Sequence, residues 1–128
     1  MAEFEHEHEA KKNKYQRKNQ TTGEAFLKKA IAHHTQGDLK NAEKSYRSAI
    51  NFGLSNIVLF SNLGVICQSS QRIEEAIALY KKAIDINPNH PDAYTNLGCL
   101  LQALGNFDQA LAPTLKSLEL KPDNPTAL

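Results

Sequence analysis

The sequence has no tryptophan, two cysteines and few aromatic side chains, five Phe and four Tyr. Without large rings, small and aliphatic side chains must do most of the packing in any folded core. Two cysteines, Cys67 and Cys99, are too few for a disulfide scaffold and suit a reducing compartment, so cytoplasm is the expected location. Long apolar runs are missing as well, and nothing approaches the roughly 18 residues needed to span a bilayer. The N-terminus is acidic and carries no apolar segment of the kind a secretory signal requires. Charge of one sign is also lacking. The formal net charge is +1, and from Gly23 onward ten basic residues balance ten acidic ones. A body this neutral has no basic stripe for nucleic acid. Strand signals are absent, as are a Ser-His-Asp arrangement, a phosphate-cradling loop and a paired-carboxylate motif. No catalytic residue, metal or cofactor is therefore assigned.

What the sequence does have is a period. Residues of like character recur every 34 positions: Phe26, Phe60 and Tyr94; Ala42, Ala76 and Ala110; Ala49, Ala83 and Ser117; Ile50, Ile84 and Leu118. A fixed step of this length marks a solenoid whose units are too small to bury their own apolar faces. Within a unit the pattern reads helix, turn, helix. Phe60, Leu63, Gly64 and Cys67 fall on one apolar stripe, and Ile73, Ala76, Ile77, Tyr80, Ala83 and Ile84 on a second. The joints between them are Gly37-Asp38, Gln71-Arg72 and Gly105-Asn106. Gly eases the left-handed backbone that closes a helix, and Asp or Asn can cap the next. Pro88 and Pro122 stand where a second helix must stop, and Pro91 and Pro125 where the next begins. Pro113 falls inside a helix and should kink it.

These residues resemble tetratricopeptide repeats. The second unit offers Phe60, Leu63-Gly64, Ala76, Tyr80, Ala83 and Pro88, and the third Tyr94, Leu97-Gly98, Gly105, Phe107, Ala110 and Pro122. The resemblance covers residues 23 to about 124. RNA-binding helical repeats of similar length share neither the Leu-Gly pair nor the terminal proline. The first unit departs from the pattern. Lys29 stands where Leu63 and Leu97 stand, and Gly53-Leu54 replaces the terminating proline, as suits a unit with no preceding neighbour. The expected fold is all-α, a right-handed superhelical array of three helix-turn-helix units at 23–56, 57–90 and 91–124. Residues 1–22 form a charged leader with almost no aliphatic side chains, read as flexible, with a frayed helix possible around Glu7 and Lys11. Residues 122–128 repeat the register of 88–94, so 125–128 are expected to begin a truncated fourth unit of a longer protein. The uncapped end would then offer a surface for self-association.

The resemblance implies that the first helices line a concave groove. Stepping by 34 gives its rows: Lys28, Asn62 and Asn96; Ile31, Val65 and Cys99; His34, Gln68 and Gln102; with Leu27, Ser61 and Thr95 alongside. An amide carries a donor and an acceptor, so Asn62 and Asn96 could pair with both polar groups of a peptide bond. That pair is similar to the asparagine ladder in the repeats of O-linked N-acetylglucosamine transferase, and Lys28 interrupts it in the first unit. Co-chaperone members of the family instead clamp an acidic C-terminus with two Lys, two Asn and an Arg. The matching places here are Leu27, Ile31, Asn62, Asp92 and Asn96; only Asn62 agrees, and Asp92 would repel a carboxylate. The expected function is binding an extended peptide or partner protein in the groove. Two alternatives stand beside it: a substrate-selecting or oligomerising domain at the N-terminus of a larger bacterial enzyme such as a glycosyl- or sulfo-transferase, and a self-assembling structural array.

Other signals read as surface chemistry. Glu5-His6-Glu7-His8-Glu9 holds metal-ligand types, but on a helix His6 and His8 diverge and no cage surrounds them. His33 and His34 are adjacent on a helix and cannot chelate together. The run Lys11 to Lys18 is short and has acidic neighbours, so neither nucleic acid nor anionic lipid is an expected partner.

Overall fold

A computed structural model describes residues 2–121. The expectations for Pro122, Pro125 and the beginning of a fourth unit lie outside the described residues. Six helices follow one another: α1 (Ala2–Thr35), α2 (Leu39–Asn51), α3 (Ile57–Ser69), α4 (Ile73–Ile86), α5 (Pro91–Ala103) and α6 (Phe107–Leu120). Among the described residues there is no strand. The fold is all-α, built from the consecutive hairpins α1/α2, α3/α4 and α5/α6. These fall into two compact units, Met1–Ser55 and Asn56–Leu128. Among the described residues, no helix is long and apolar enough to cross a membrane.

In the first unit α1 and α2 close on Ala30, Ala42, Tyr46 and Ala49, all fully buried. Phe26 stacks on Phe52 with ring centroids 5.6 Å apart. Gly53, at φ +83°, donates to the Ile50 carbonyl while Leu54 donates to Ala49, which closes α2 in a left-handed cap. Leu54 is thereby turned inward and buried beside Gly23, where a proline terminates the next repeat.

The leader, expected to be flexible with a frayed helix possible around Glu7 and Lys11, is helical as the N-terminal extension of α1, which runs without a break from Ala2 to Thr35. Low hydrophobicity argues for flexibility, yet more than half of the segment is Ala, Glu, Lys, Gln and Arg, with no Gly or Pro before Gly23. Glu3 and Glu5 occupy the first turn, where the helix dipole favours acids. The packed part of α1 also supplies the nucleus, so extension avoids the initiation cost of an isolated helix. The extension gains little burial: among the residues whose burial is described Gly23 is the first buried position, and Tyr15 stays largely exposed.

In the second unit α3 packs on α4, α5 on α6, and α4 on α5, so the two hairpins stack. Leu59, Leu63, Cys67, Tyr80 and Leu100 are its largest fully buried side chains. Burying each such side chain contributes about 1.5–3 kcal/mol. The three joints share one geometry. Asp38, Arg72 and Asn106 donate to His33, Cys67 and Leu101, and each preceding residue is left-handed: Gly37 at φ +78°, Gln71 at +64°, Gly105 at +79°. Asp38 caps α2 through the Asn41 N–H as expected, whereas Asn106 makes no side-chain cap. Asn56 caps α3 by accepting from Val58 and Leu59. Pro91 opens α5, and Pro113 sits within α6, which runs through it to Leu120.

Candidate functional site

Glycine at position 64 is what brings the wall of the site together. A Cβ there would lie 2.5 Å from the Tyr80 ring, so only Gly lets that ring lie flat against α3. Tyr80 then donates its hydroxyl proton to Gln68 Oε1 at 2.8 Å. Burial pushes this hydroxyl up to about 12, and the neighbouring Cys67 thiol adds to the rise. With α4 held this way, α3 turns Ser61, Asn62 and Val65 outward. Two hydrogen bonds steady α5 opposite: Thr95 meets the buried Ser117 hydroxyl on α6, and Lys121 reaches Asp92.

Between α3 and α5 lies an open cleft of about 440 Å³. Asn62 and Asn96 both line it, with Ser61, Val65 and Thr95 beside them. Val65 and Asn96 also line an adjoining cleft of about 570 Å³ that takes in Gln68 and Cys99. Gln102 lies beyond it, over a smaller hollow of about 270 Å³ between α5 and α6, which Cys99 also borders. The six groove positions expected in the second unit each border one or more of these three hollows, which share lining residues.

The first unit carries the other three expected positions on α1. Lys28 is exposed, and Ile31 is 37% exposed. His34 is not free: its Nδ1 lies 3.0 Å from the Tyr46 hydroxyl, with the rings edge to face. It does for Tyr46 what Gln68 does for Tyr80. The row His34, Gln68 and Gln102, expected to face a ligand, is thus partly a row of struts. His33 turns the other way, 3.5 Å from the Asp38 carboxylate.

Sequence reasoning missed Ile57, Val58 and His90 in the cleft wall. His90 stands one period after Asn56, at the residue preceding α5, but makes no cap bond. Its Nδ1 is buried with no hydrogen-bond partner among the described residues. The signal for it was positional: a ring where the previous repeat has a capping amide. Asp92 also faces the cleft, and the Lys121 hydrogen bond at 2.7 Å holds its carboxyl below the usual range, with smaller help from the charges of Lys121 and His90. Among the described residues, no three His, Cys, Asp or Glu side chains gather to hold a metal. Cys67 is buried and Cys99 exposed, and neither forms a disulfide among the described residues.

Models of the tetratricopeptide repeat match residues 23–52 and 91–124, and a TPR repeat model matches 64–105. No curated protein matches the sequence. Among solved structures, the Arabidopsis OM64 TPR domain is similar at TM-score 0.76 and 24% identity, covering 85% of this chain and 90% of that one. The second TPR of Spaghetti (RPAP3), solved bound to the HSP90 peptide SRMEEVD, gives 0.79 at 21% identity, covering 88% and 96%. MamA gives 0.73 at 24% identity, covering 78% of this chain but 58% of MamA. At these identities the likeness is one of fold.

Proposed function

The chain belongs to the tetratricopeptide repeat family, and on that premise we propose that it is a protein-interaction module whose second unit grips the backbone of an extended peptide between α3 and α5. The observation that carries this reading is that Asn62 and Asn96, one repeat apart on separate helices, line the same cleft. An amide side chain carries both a donor and an acceptor, and the two stand at the spacing of stacked helices, which suits main-chain N–H and C=O groups whatever the side chains. Ile57, Val58 and Val65 supply apolar contact beside them, with Val58 and Val65 each more than 40% exposed, at 43% and 41%.

The ligand is not an acidic C-terminus of the kind bound by the Spaghetti domain. Asp92 lines the cleft as a carboxylate, and Leu27 and Ile31 stand where cations would be needed. A peptide that is neutral or basic at this point fits better. The test is capture from an immobilised peptide library by the wild type and by the Asn62→Ala/Asn96→Ala double variant. The double variant is expected to lose capture while its circular dichroism is unchanged; undiminished capture would refute the amide grip.

A second reading, association between copies of the chain, has one observation in its favour. Phe107, Leu111, Leu115 and Leu118 recur at helical spacing along α6, each about half exposed or more. On this reading Leu111→Glu with Leu115→Glu lowers the sedimentation-equilibrium mass to that of a monomer, and a wild type already monomeric at high concentration removes it.

A further inference from the structure

The second unit has a roomier hollow than the one between α3 and α5. It is a cleft of about 790 Å³ walled by α4, α5 and α6. Its floor is aliphatic, made by Ile77 and Ile84 from α4 and by Leu97 and Leu101 from α5. The Tyr94 ring forms one wall and is held in place by its hydroxyl, which donates to the Pro88 carbonyl at 2.8 Å. Among the described residues two formal charges border the cleft, Lys81 and Lys116, both positive, and no acidic side chain lines it. Lys116 has an exposed partner, Glu119, at 3.7 Å, a contact an anion can displace at little cost.

Pro113 helps to open this space. One period earlier the same place is Leu79, a larger and more flexible side chain. A proline here withholds an N–H from the Gln109 carbonyl and weakens α6, yet its compact ring and the neighbouring Ala112 leave the cleft wide. An aliphatic floor, a cationic rim and a volume in the range of small-ligand sites together define a ligand. We propose that this cleft binds a free acyl carboxylate, its chain along Ile77, Ile84, Leu97 and Leu101 and its carboxylate between Lys81 and Lys116. The site is independent of the peptide cleft and shares none of its lining residues.

The experiment is isothermal titration of the full chain with sodium dodecanoate below its micellar concentration. Saturable one-to-one binding is expected. Pro113→Leu fills the cleft while restoring a helix hydrogen bond, so it should weaken binding about tenfold, the equivalent of roughly two lost methylene contacts, at an equal or higher Tm. Ala112→Leu, at an exposed helix position, gives an independent block. Lys81→Ala with Lys116→Ala should weaken dodecanoate about fivefold and leave dodecanol unaffected. The proposal is overturned if dodecanoate does not saturate, if both filling variants bind as the wild type does, or if the chain binds only anionic phospholipid vesicles and not the free acid.

Discussion

The hairpins α3/α4 and α5/α6 occupy the same register of the same repeat, yet their interiors are closed differently. In α3/α4 the Tyr80 ring fills the space over Gly64 and ties α4 to Gln68. In α5/α6 the equivalent residue is Thr114, whose Oγ1 takes the place nearest Gly98. Gln102 gains no hydroxyl partner there, and a hollow of about 270 Å³ remains between the helices. α1/α2 shows a third solution, with Ala30 in the glycine position and His34 meeting the Tyr46 hydroxyl. The Tyr80 ring demands glycine at position 64, but Ala30 stands at the same place in the hairpin that carries Tyr46 and Gly98 faces Thr114, so the need for glycine is set by how closely the opposite helix approaches in each hairpin. Where the ring is lost, the groove row behind it is released from a structural task and faces solvent.

Breaking the closed hairpin should have the largest effect. Gly64→Ala sets a methyl against a ring whose hydroxyl is already engaged, and stability should fall by about 2 kcal/mol, read as a lower urea midpoint. Gly98→Ala meets the Thr114 hydroxyl at 2.7 Å and the Thr114 backbone N at 3.4 Å, one close atom against two ring carbons at Gly64, and should cost less. Tyr80→Phe keeps the ring but removes the bond to Gln68, for a loss of about 1 kcal/mol near neutrality. The pH dependence has a definite sign. The folded hydroxyl is pushed up to about 12 from an ordinary 10.0, so between these values the unfolded chain releases a proton that the folded chain keeps. Stability from this group is complete below pH 10.0 and is lost as pH rises toward 12. Urea melts at pH 8 and pH 11 should therefore show the gap between wild type and Tyr80→Phe narrowing at the higher pH.

Closing the open hairpin is a gain of similar size. Thr114→Tyr should place a ring over Gly98 and a hydroxyl beside Gln102, raising stability by about 1 kcal/mol in the same melts. The smallest effect concerns the joints. Gln71 holds φ +64° where the other two joints use Gly, so Gln71→Gly should stabilise by about 0.5 kcal/mol, a shift in Tm that calorimetry can resolve.

The hairpins, their joints and the glycine approach were legible because a 34-residue step aligns like with like, and each alignment has a packing reason. Ser61, Asn62, Val65, Thr95 and Asn96 in the α3/α5 cleft followed from the same step, whereas Ile57 and Val58 did not. Three other things did not. The leader's polarity concealed a helix that needed only propensity and an existing nucleus. The bonds His34–Tyr46 and Gln68–Tyr80 join residues twelve apart, and a helix face alone does not reveal which neighbour a long polar side chain reaches. His90 entered the cleft through a capping position, where the repeat pattern predicts a backbone role and not a wall.

The central claim is that Asn62 and Asn96 hold a peptide's main chain. The direct measurement is a ¹⁵N NMR titration of the chain with a captured peptide, following side-chain amide signals. The Asn62 and Asn96 NH₂ resonances are expected to shift together and saturate at one equivalent, with the α4 and α6 backbone unmoved. Saturable shifts confined to other residues, with both amides unchanged, would contradict it.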